Sequence, residues 1–356
     1  MKKTSLNDIA KSLNVSKTLV SLVLNGHGNT KGINADTQKR VVEKARELNY
    51  KPNLLARGLR LGSSKTIGLI VADISNKFYS KIAKRIEEVA HRHGYNLIFC
   101  SSDEDPQKEI ELIEMLRVRQ VDGLIISTSQ DNAHEFLRLK KENFPFVLID
   151  RQLPKISAHY VGVDNYSGAF MATEHLINNG YKKIGFLRIL PGHLKTINDR
   201  ETGYRAALKK YNIRVNSKLI RDVNYNIVLD DVRKVLIELL QPPQSINAIF
   251  SSNNRIAVAC LECLNEMNIR IPHDVALISF DDIDLFRFSY PTITSIAQPV
   301  ENIGETAFNI LLENINESSN GNRKQIVLPV KLIERRSCGA FINHVRIRSK
   351  NEVFEN

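Results

Sequence analysis

Seven short apolar runs, set between stretches of helical periodicity, limit most of this 356-residue chain to a layered α/β body. The runs are Ile67–Val71, Asn96–Cys100, Gly123–Ser127, Phe146–Asp150, Lys183–Leu187, Asn247–Ser251 and Val275–Phe280. Amphipathic stretches separate most of them, such as Phe78–Arg92, Gln107–Arg119 and Arg255–Met267. Continuous apolar strands alternating with helices are buried on both faces, which predicts parallel sheets joined by right-handed crossovers. Two such sheets suit residues 66–340 better than one, because a single core stops growing at this length. The expected body is two-lobed, with a cleft between the lobes.

Ligands of open parallel sheets sit beyond the carboxyl ends of the strands, and polar residues gather there in this sequence. Asp73, Ser75, Asn76, Phe78 and Tyr79 follow the first run, and Asp150 and Arg151 the fourth. Asn253 and Asn254 follow the sixth run, Asp281 and Asp282 the seventh, and Arg200 is read as opening the helix after the fifth. Carboxylates, amides and guanidinium groups beside aromatic plates match the hydroxyls and apolar ring face of a sugar. Asp282 is read instead as a cap on the helix that follows.

The amino-terminal segment has a different rhythm. Ser5 with Asp8 forms a capping-box pattern, and Leu6, Ile9, Ala10 and Leu13 recur at helical spacing. Asn14 stands where that helix must stop and tolerates the left-handed conformation. Val15 plugs the turn, and Ser16 caps a second helix whose inner side is Leu19, Val20, Val23 and Leu24. Lys17, Thr18, Ser21 and Leu22 then face outward near its start. A third helix, Asp36–Leu48, supplies Val41, Val42, Ala45 and Leu48 to a shared core. This is a helix-turn-helix, whose second helix enters the major groove of DNA in proteins built this way. The connector from Gly26 to Ala35 reads as flexible, with Lys31 available for a phosphate.

Charge supports the nucleic-acid reading. Residues 1–65 carry 13 Lys and Arg against 4 Asp and Glu, whereas the remainder carries 37 against 35. The excess of cations is concentrated where a phosphate backbone would lie. No nucleophile elbow, Walker loop, zinc-protease helix or dinucleotide fingerprint follows a strand, so no enzyme is expected. Cys260 and Cys263 fall inside a helical pattern and read as core, leaving no cofactor or metal to expect. No apolar stretch resembles a signal peptide or approaches membrane-spanning length, which points to the cytoplasm. Two other classes stay open: a sugar-binding transport receptor, which would need an export signal, and a sugar-processing enzyme, which would need turnover.

SLNDIAKSLNVSKTLVSLVLN, then ELNYKPN and LLARGL, resemble the headpiece of the lactose-repressor (LacI/GalR) family of transcription factors. The body resembles the family at IGLIVADISN, QVDGLIIS, LIDR, HLINNGYKKIGFL, NDRETGY, SFDD and SIAQP, so the likeness extends to about Cys338. It implies an all-α headpiece at 1–50, a hinge helix and linker at 51–65, and an effector-binding and dimerisation body at 66–340. That body would have the type I periplasmic-binding-protein, Rossmann-like fold, with residues 341–356 as a polar extension.

The resemblance also implies roles. Lys17, Thr18 and Leu22 match base-reading positions, although Leu22 stands where the family often has Arg or His and can only touch a thymine methyl or pack. Ser16, Ser21 and Asn25 match residues that position the backbone. Ala56 and Leu59 match hinge residues facing the minor groove, with Arg57 and Arg60 on flanking phosphates. In the cleft, Asp150, Arg200, Asn253 and Asp281 match positions that grip hydroxyls. Phe78, Tyr225 and Gln298 match ring-contacting or cleft positions, with Asn76, Tyr79 and Arg151 beside them. Lys77 replaces a common proline at the rim. The implied protein is a homodimer on near-palindromic operator DNA, controlled by a small carbohydrate effector.

Overall fold

A computed structural model describes residues 4–50, 63–153, 156–191, 194–316 and 323–340. The hinge positions Ala56, Arg57, Leu59 and Arg60 lie outside the described residues, as does the 341–356 extension. The chain divides into two compact units, Met1–Ser64 and Lys65–Asn356.

In the first unit, α1 (Leu6–Leu13), α2 (Lys17–Leu24) and α3 (Ala35–Glu47) form a three-helix cluster. The capping box is present: the Asp8 amide donates to Ser5 Oγ and the Ser5 amide donates back to Asp8 Oδ2 at 2.8 Å. Asn14 ends α1 at φ 52°, and the Val15 amide closes onto Ala10 O at 3.0 Å. Ser16 Oγ accepts from the Leu19 amide at 3.1 Å and starts α2. Ile9, Ala10, Val20, Val23, Val41 and Ala45 are buried together, with Leu6, Leu13, Val15, Leu19, Leu24, Val42 and Leu48 packed around them.

Two details differ from the sequence reading. Helix α3 begins one residue early, because the Asn34 side chain caps it through the Asp36 amide at 2.8 Å. The connector after Gly26 is also not a loose strand of chain. It contains a 3-10 turn at Asn29–Lys31, the Ile33 amide returns to Gly28 O at 2.9 Å, and Gln38 Nε2 donates to both Asn29 Oδ1 and Ile33 O. Gly28 leaves room for the Gln38 amide, which a Cβ would approach to 2.3 Å and force to shift.

The second unit is built on two six-stranded sheets. The first contains β1 (Thr66–Val71), β2 (Asn96–Ser101), β3 (Gly123–Ile126), β4 (Phe146–Ile149), β5 (His159–Val163) and β11 (Gln325–Leu328), in the order β11-β5-β4-β3-β1-β2. The second contains β6 (Ile184–Ile189), β7 (Ile220–Val223), β8 (Ala248–Ser251), β9 (Ala276–Phe280), β10 (Thr294–Ala297) and β12 (Lys331–Ile333), in the order β12-β10-β9-β8-β6-β7. The two orders correspond strand for strand. All pairings are parallel except β10 with β12, a correction to the all-parallel expectation. The reversal follows from the short link between β11 and β12, which lets the chain change sheets without a crossover helix.

Helices cover the sheet faces: α4 (Lys77–Arg92), α5 (Pro106–Val118), α6 (Ala133–Lys141) and α12 (Val300–Asn316) belong to the first lobe. The second lobe has α7 (Asn165–Asn178), α8 (Lys195–Lys210), α9 (Val228–Leu240), α10 (Asn254–Glu266) and the short α11 (Leu285–Phe288). The chain passes between lobes three times, after β5, after β10 and between β11 and β12. Cys260 and Cys263 are fully buried among apolar residues of the second lobe, as expected of core.

Candidate functional site

The loops at the strand ends of the two lobes meet around one cavity, of about 50 Å³. Asn76, Phe78, Tyr79, Asp150, Arg151, Arg200, Tyr225, Asn253, Asp281 and Gln298 all line it.

On the first lobe, Asn76 Oδ1 caps α4 through the Phe78 amide at 3.0 Å, which turns Phe78 and Tyr79 into the cavity from its first turn. Tyr79 donates its hydroxyl to Asp150 Oδ2 at 2.8 Å and accepts from Ser127 Oγ at 3.1 Å. Burial pushes the Tyr79 hydroxyl well above its ordinary pKa, so it stays a donor. Asp150 ends β4 at φ 62°, a left-handed position unusual for a side chain. Tyr160, reaching from β5, donates to the Asp150 carbonyl at 3.0 Å and holds that turn. Arg151 makes a bidentate pair with Glu104 at 2.7 and 2.6 Å, and its Nε has no hydrogen-bond partner.

The second lobe supplies the matching wall. Asp281 ends β9, the counterpart of β4, at φ 71°. Its Oδ1 accepts from Gln298 Nε2 at 2.5 Å, and the Gln298 Oε1 is left without a partner. Burial raises the Asp281 pKa, with the Arg200 charge pulling the other way. Arg200 does not open α8 but sits in its second turn, because the helix begins at Lys195. Its Nε donates to Asn165 Oδ1 at 2.8 Å and its Nη1 to Ser252 O at 2.6 Å, while the guanidinium lies 3.7 Å over the Phe280 ring. Asn253 Oδ1 caps α10 through the Ile256 amide at 3.0 Å.

Asp282 is corrected. It caps no helix: its oxygens accept from Arg335 at 2.7 and 3.0 Å and from Ser295 Oγ at 2.7 Å, which ties the chain after β12 to β10. Sequence reading also missed Glu104 and Arg255, both on the cavity wall. Glu104 follows β2 and the strand-end rule could have found it. Arg255 lies inside a helix pattern and gave no signal. The lining holds four carboxylates, Asp73, Glu104, Asp150 and Asp281, against three guanidinium groups, Arg151, Arg200 and Arg255. Charge is nearly balanced, so the cavity suits a neutral polar ligand.

On the head, Lys17 and Thr18 are exposed at the start of α2. Ser21, Leu22 and Asn25 are half-buried. Asn25 Nδ2 is turned onto Ser21 O at 2.6 Å, and Ser16 spends its hydroxyl on the helix cap. Among the described residues, no helix is long and apolar enough to cross a membrane.

A helix-turn-helix unit and a two-lobed binding body define a ligand-responsive regulator of the periplasmic-binding-protein type. Residues 5–53 match "Bacterial regulatory proteins, lacI family", and residues 173–338 match "Periplasmic binding protein-like domain". The ribose operon repressor of Halalkalibacterium halodurans is 31% identical over 93% of this chain and 96% of its own length. A LacI family transcriptional regulator from Enterococcus faecium, solved with bound ribose, superposes with a TM-score of 0.68 at 28% identity, over 76% of this chain and 98% of its own. The lac repressor dimer bound to operator shares the fold, at a TM-score of 0.81 and 22% identity, over 95% of this chain and 99% of its own. The chain belongs to the lacI family of bacterial regulatory proteins. It is a DNA-binding transcriptional regulator.

Proposed function

We propose that this regulator is a cytoplasmic repressor that holds a near-palindromic operator as a homodimer and releases or tightens its grip when a neutral sugar enters the cleft. The observation that carries the effector class is the cavity lining. Two aspartates face it from equivalent strand ends of the two lobes, both in left-handed backbone, in a wall of nearly balanced charge. Hydroxyls satisfy such carboxylates. A phosphate would add negative charge to a wall of four carboxylates whose Arg151 and Arg255 are already paired with Glu104 and Asp73. The ribose named with the Enterococcus faecium structure and in the Halalkalibacterium halodurans repressor supports the same class.

Lys17 and Thr18 are the proposed base readers, with Ser16, Ser21, Leu22 and Asn25 supporting them. Ala56, Arg57, Leu59 and Arg60 are proposed to meet the minor groove. The second copy is proposed to cover an apolar face of the second lobe. Phe288 is 83% exposed and Tyr290 93%, beside a groove of about 1320 Å³ that Ile269, Ile271 and Pro272 help line. The effector acts by preferring one pose of the two lobes, and it shifts DNA affinity only by that preference. The protein binds its sugar and does not transform it.

The test is an operator gel shift titrated with D-ribose, D-ribose 5-phosphate and hypoxanthine. Wild type responds to ribose, and Arg200→Ala abolishes the response. A larger response to the phosphate or the purine refutes the effector class, and consumption of the sugar refutes the binding role.

A further inference from the structure

The inner cavity has neighbours. Tyr225 lines it and also lines an outer groove of about 610 Å³ with Asp103, Leu190, Pro191 and Asn226. Arg255 lines it and also lines a second groove of about 410 Å³ with Lys77, Val228, Val258 and Glu262. Glu104 is shared with the first groove and Asn76 with the second, and between them stands a cluster of three side chains, Arg255, Asp73 and Tyr225. Arg255 Nη1 crosses from the second lobe to Asp73 Oδ2 on the first at 3.1 Å, and its guanidinium lies 4.3 Å from the centre of the Tyr225 ring. Asp73 is fixed in turn, since its Oδ1 accepts from the Ser75 amide at 2.8 Å and from Ser75 Oγ at 2.6 Å. Tyr225 stands on a 3-10 turn held by Asn224, whose amide donates to Asp231 Oδ2 at 3.0 Å.

We propose that Arg255 is a size gate: bridging Asp73 and Tyr225, it restricts the effector to a single ring by separating the inner cavity from the outer grooves. The reading rests on the sugar assignment above and adds a limit to it. A two-ring ligand must place its second ring where the Arg255–Tyr225 stack stands. It therefore has to break the ion pair and the stack to seat that second ring. The Arg255 side chain is 32% exposed and Asp73 only 9%, so the pair is wet on one side and can open without unfolding the lobe. Stacked, bidentate-capable guanidinium is poorly replaced by lysine, which can reach Asp73 but cannot cover the ring.

The experiment measures binding of D-ribose and cellobiose to the full chain by calorimetry, for wild type, Arg255→Ala, Arg255→Lys and Asp73→Asn. The expected result is a rise of at least tenfold in the cellobiose-to-ribose affinity ratio for Arg255→Ala. Asp73→Asn should move it in the same direction, and Arg255→Lys by less than Arg255→Ala. An unchanged ratio in Arg255→Ala overturns the gate. Hydrogen exchange without any sugar gives the second readout. Removing the arginine should speed exchange of the Asn226 and Ile227 amides at least fivefold, and unchanged exchange also overturns the gate. If wild type binds neither sugar, the sugar assignment fails while the exchange result still decides whether Arg255 closes the mouth.

Discussion

Removing Arg151 should separate what this residue does for the fold from what it does for the ligand. Its side chain is 8% exposed and that of Glu104 13%, and the two are joined by a bidentate pair. Asp150 lies on the other side, with Oδ2 3.6 Å from Arg151 Nε. Arg151→Met would leave Glu104 without its bidentate partner and Asp150 with only the Arg200 charge nearby. Breaking a buried pair from one side costs about 3–5 kcal/mol. With a slope of about 2–3 kcal/mol per molar urea for a unit of this size, the unfolding midpoint falls by about 1–2.5 M. Glu104→Gln added to Arg151→Met removes the stranded charge and should return about 2 kcal/mol, the coupling expected of contacting charges. Effector affinity should not return with it, because the Nε that has no hydrogen-bond partner is lost in both variants. Urea unfolding followed by fluorescence and circular dichroism measures the first quantity, and ribose calorimetry the second. A midpoint drop under about 0.3 M for the single variant, or no recovery in the double, refutes the assignment of a buried ion pair to this wall.

Three further outcomes follow from other parts of the molecule. Lys17→Ala should cost about 1–3 kcal/mol on operator DNA and much less on scrambled duplex; equal losses on both remove it from base reading. Tyr290→Asp should convert the dimer to single chains by analytical ultracentrifugation at micromolar concentration, and an unchanged mass moves the interface elsewhere. Burial holds the pKa values of His159 and His175 below the ordinary value. The unfolded chain therefore takes these protons first as pH falls below about 6.5, and stability drops through that window. The thermal midpoint should fall from pH 7.5 to 5.5, and the fall should shrink in the His159→Asn, His175→Asn variant. An identical slope in both proteins contradicts this.

Much of the fold was legible because seven strands read as apolar runs, six of them almost wholly buried and the seventh, β2, a half-buried edge. Three of the five strands that escaped have plain physical reasons. β11 and β12 lie at sheet edges, are three or four residues long and carry half-exposed side chains. β5 hides polar groups that find partners only in the folded sheet, with Tyr160 on the Asp150 carbonyl and His159 Nδ1 accepting from the Lys324 amide. The cleft residues could be gathered from sequence since parallel sheets deliver their polar loops to one edge. Arg255 could not, because its partner Asp73 is 182 residues away and only the closed pair of lobes brings them together. Asp282 misled for a related reason: a carboxylate before a helix looks like a cap, and its real partner Arg335 is 53 residues distant.

The three passages between lobes carry a consequence for how the molecule is made. Strand β11, the border of the first sheet, comes from residues 325–328, and α12, which packs on β3, β4 and β5, from Val300–Asn316. Both are translated after nearly all of the second lobe. A nascent chain that has just emitted β5 thus holds a half with one face bare, unable to mature ahead of its neighbour as sequential domains do. Sensor and scaffold are finished together, in the last stretch of synthesis.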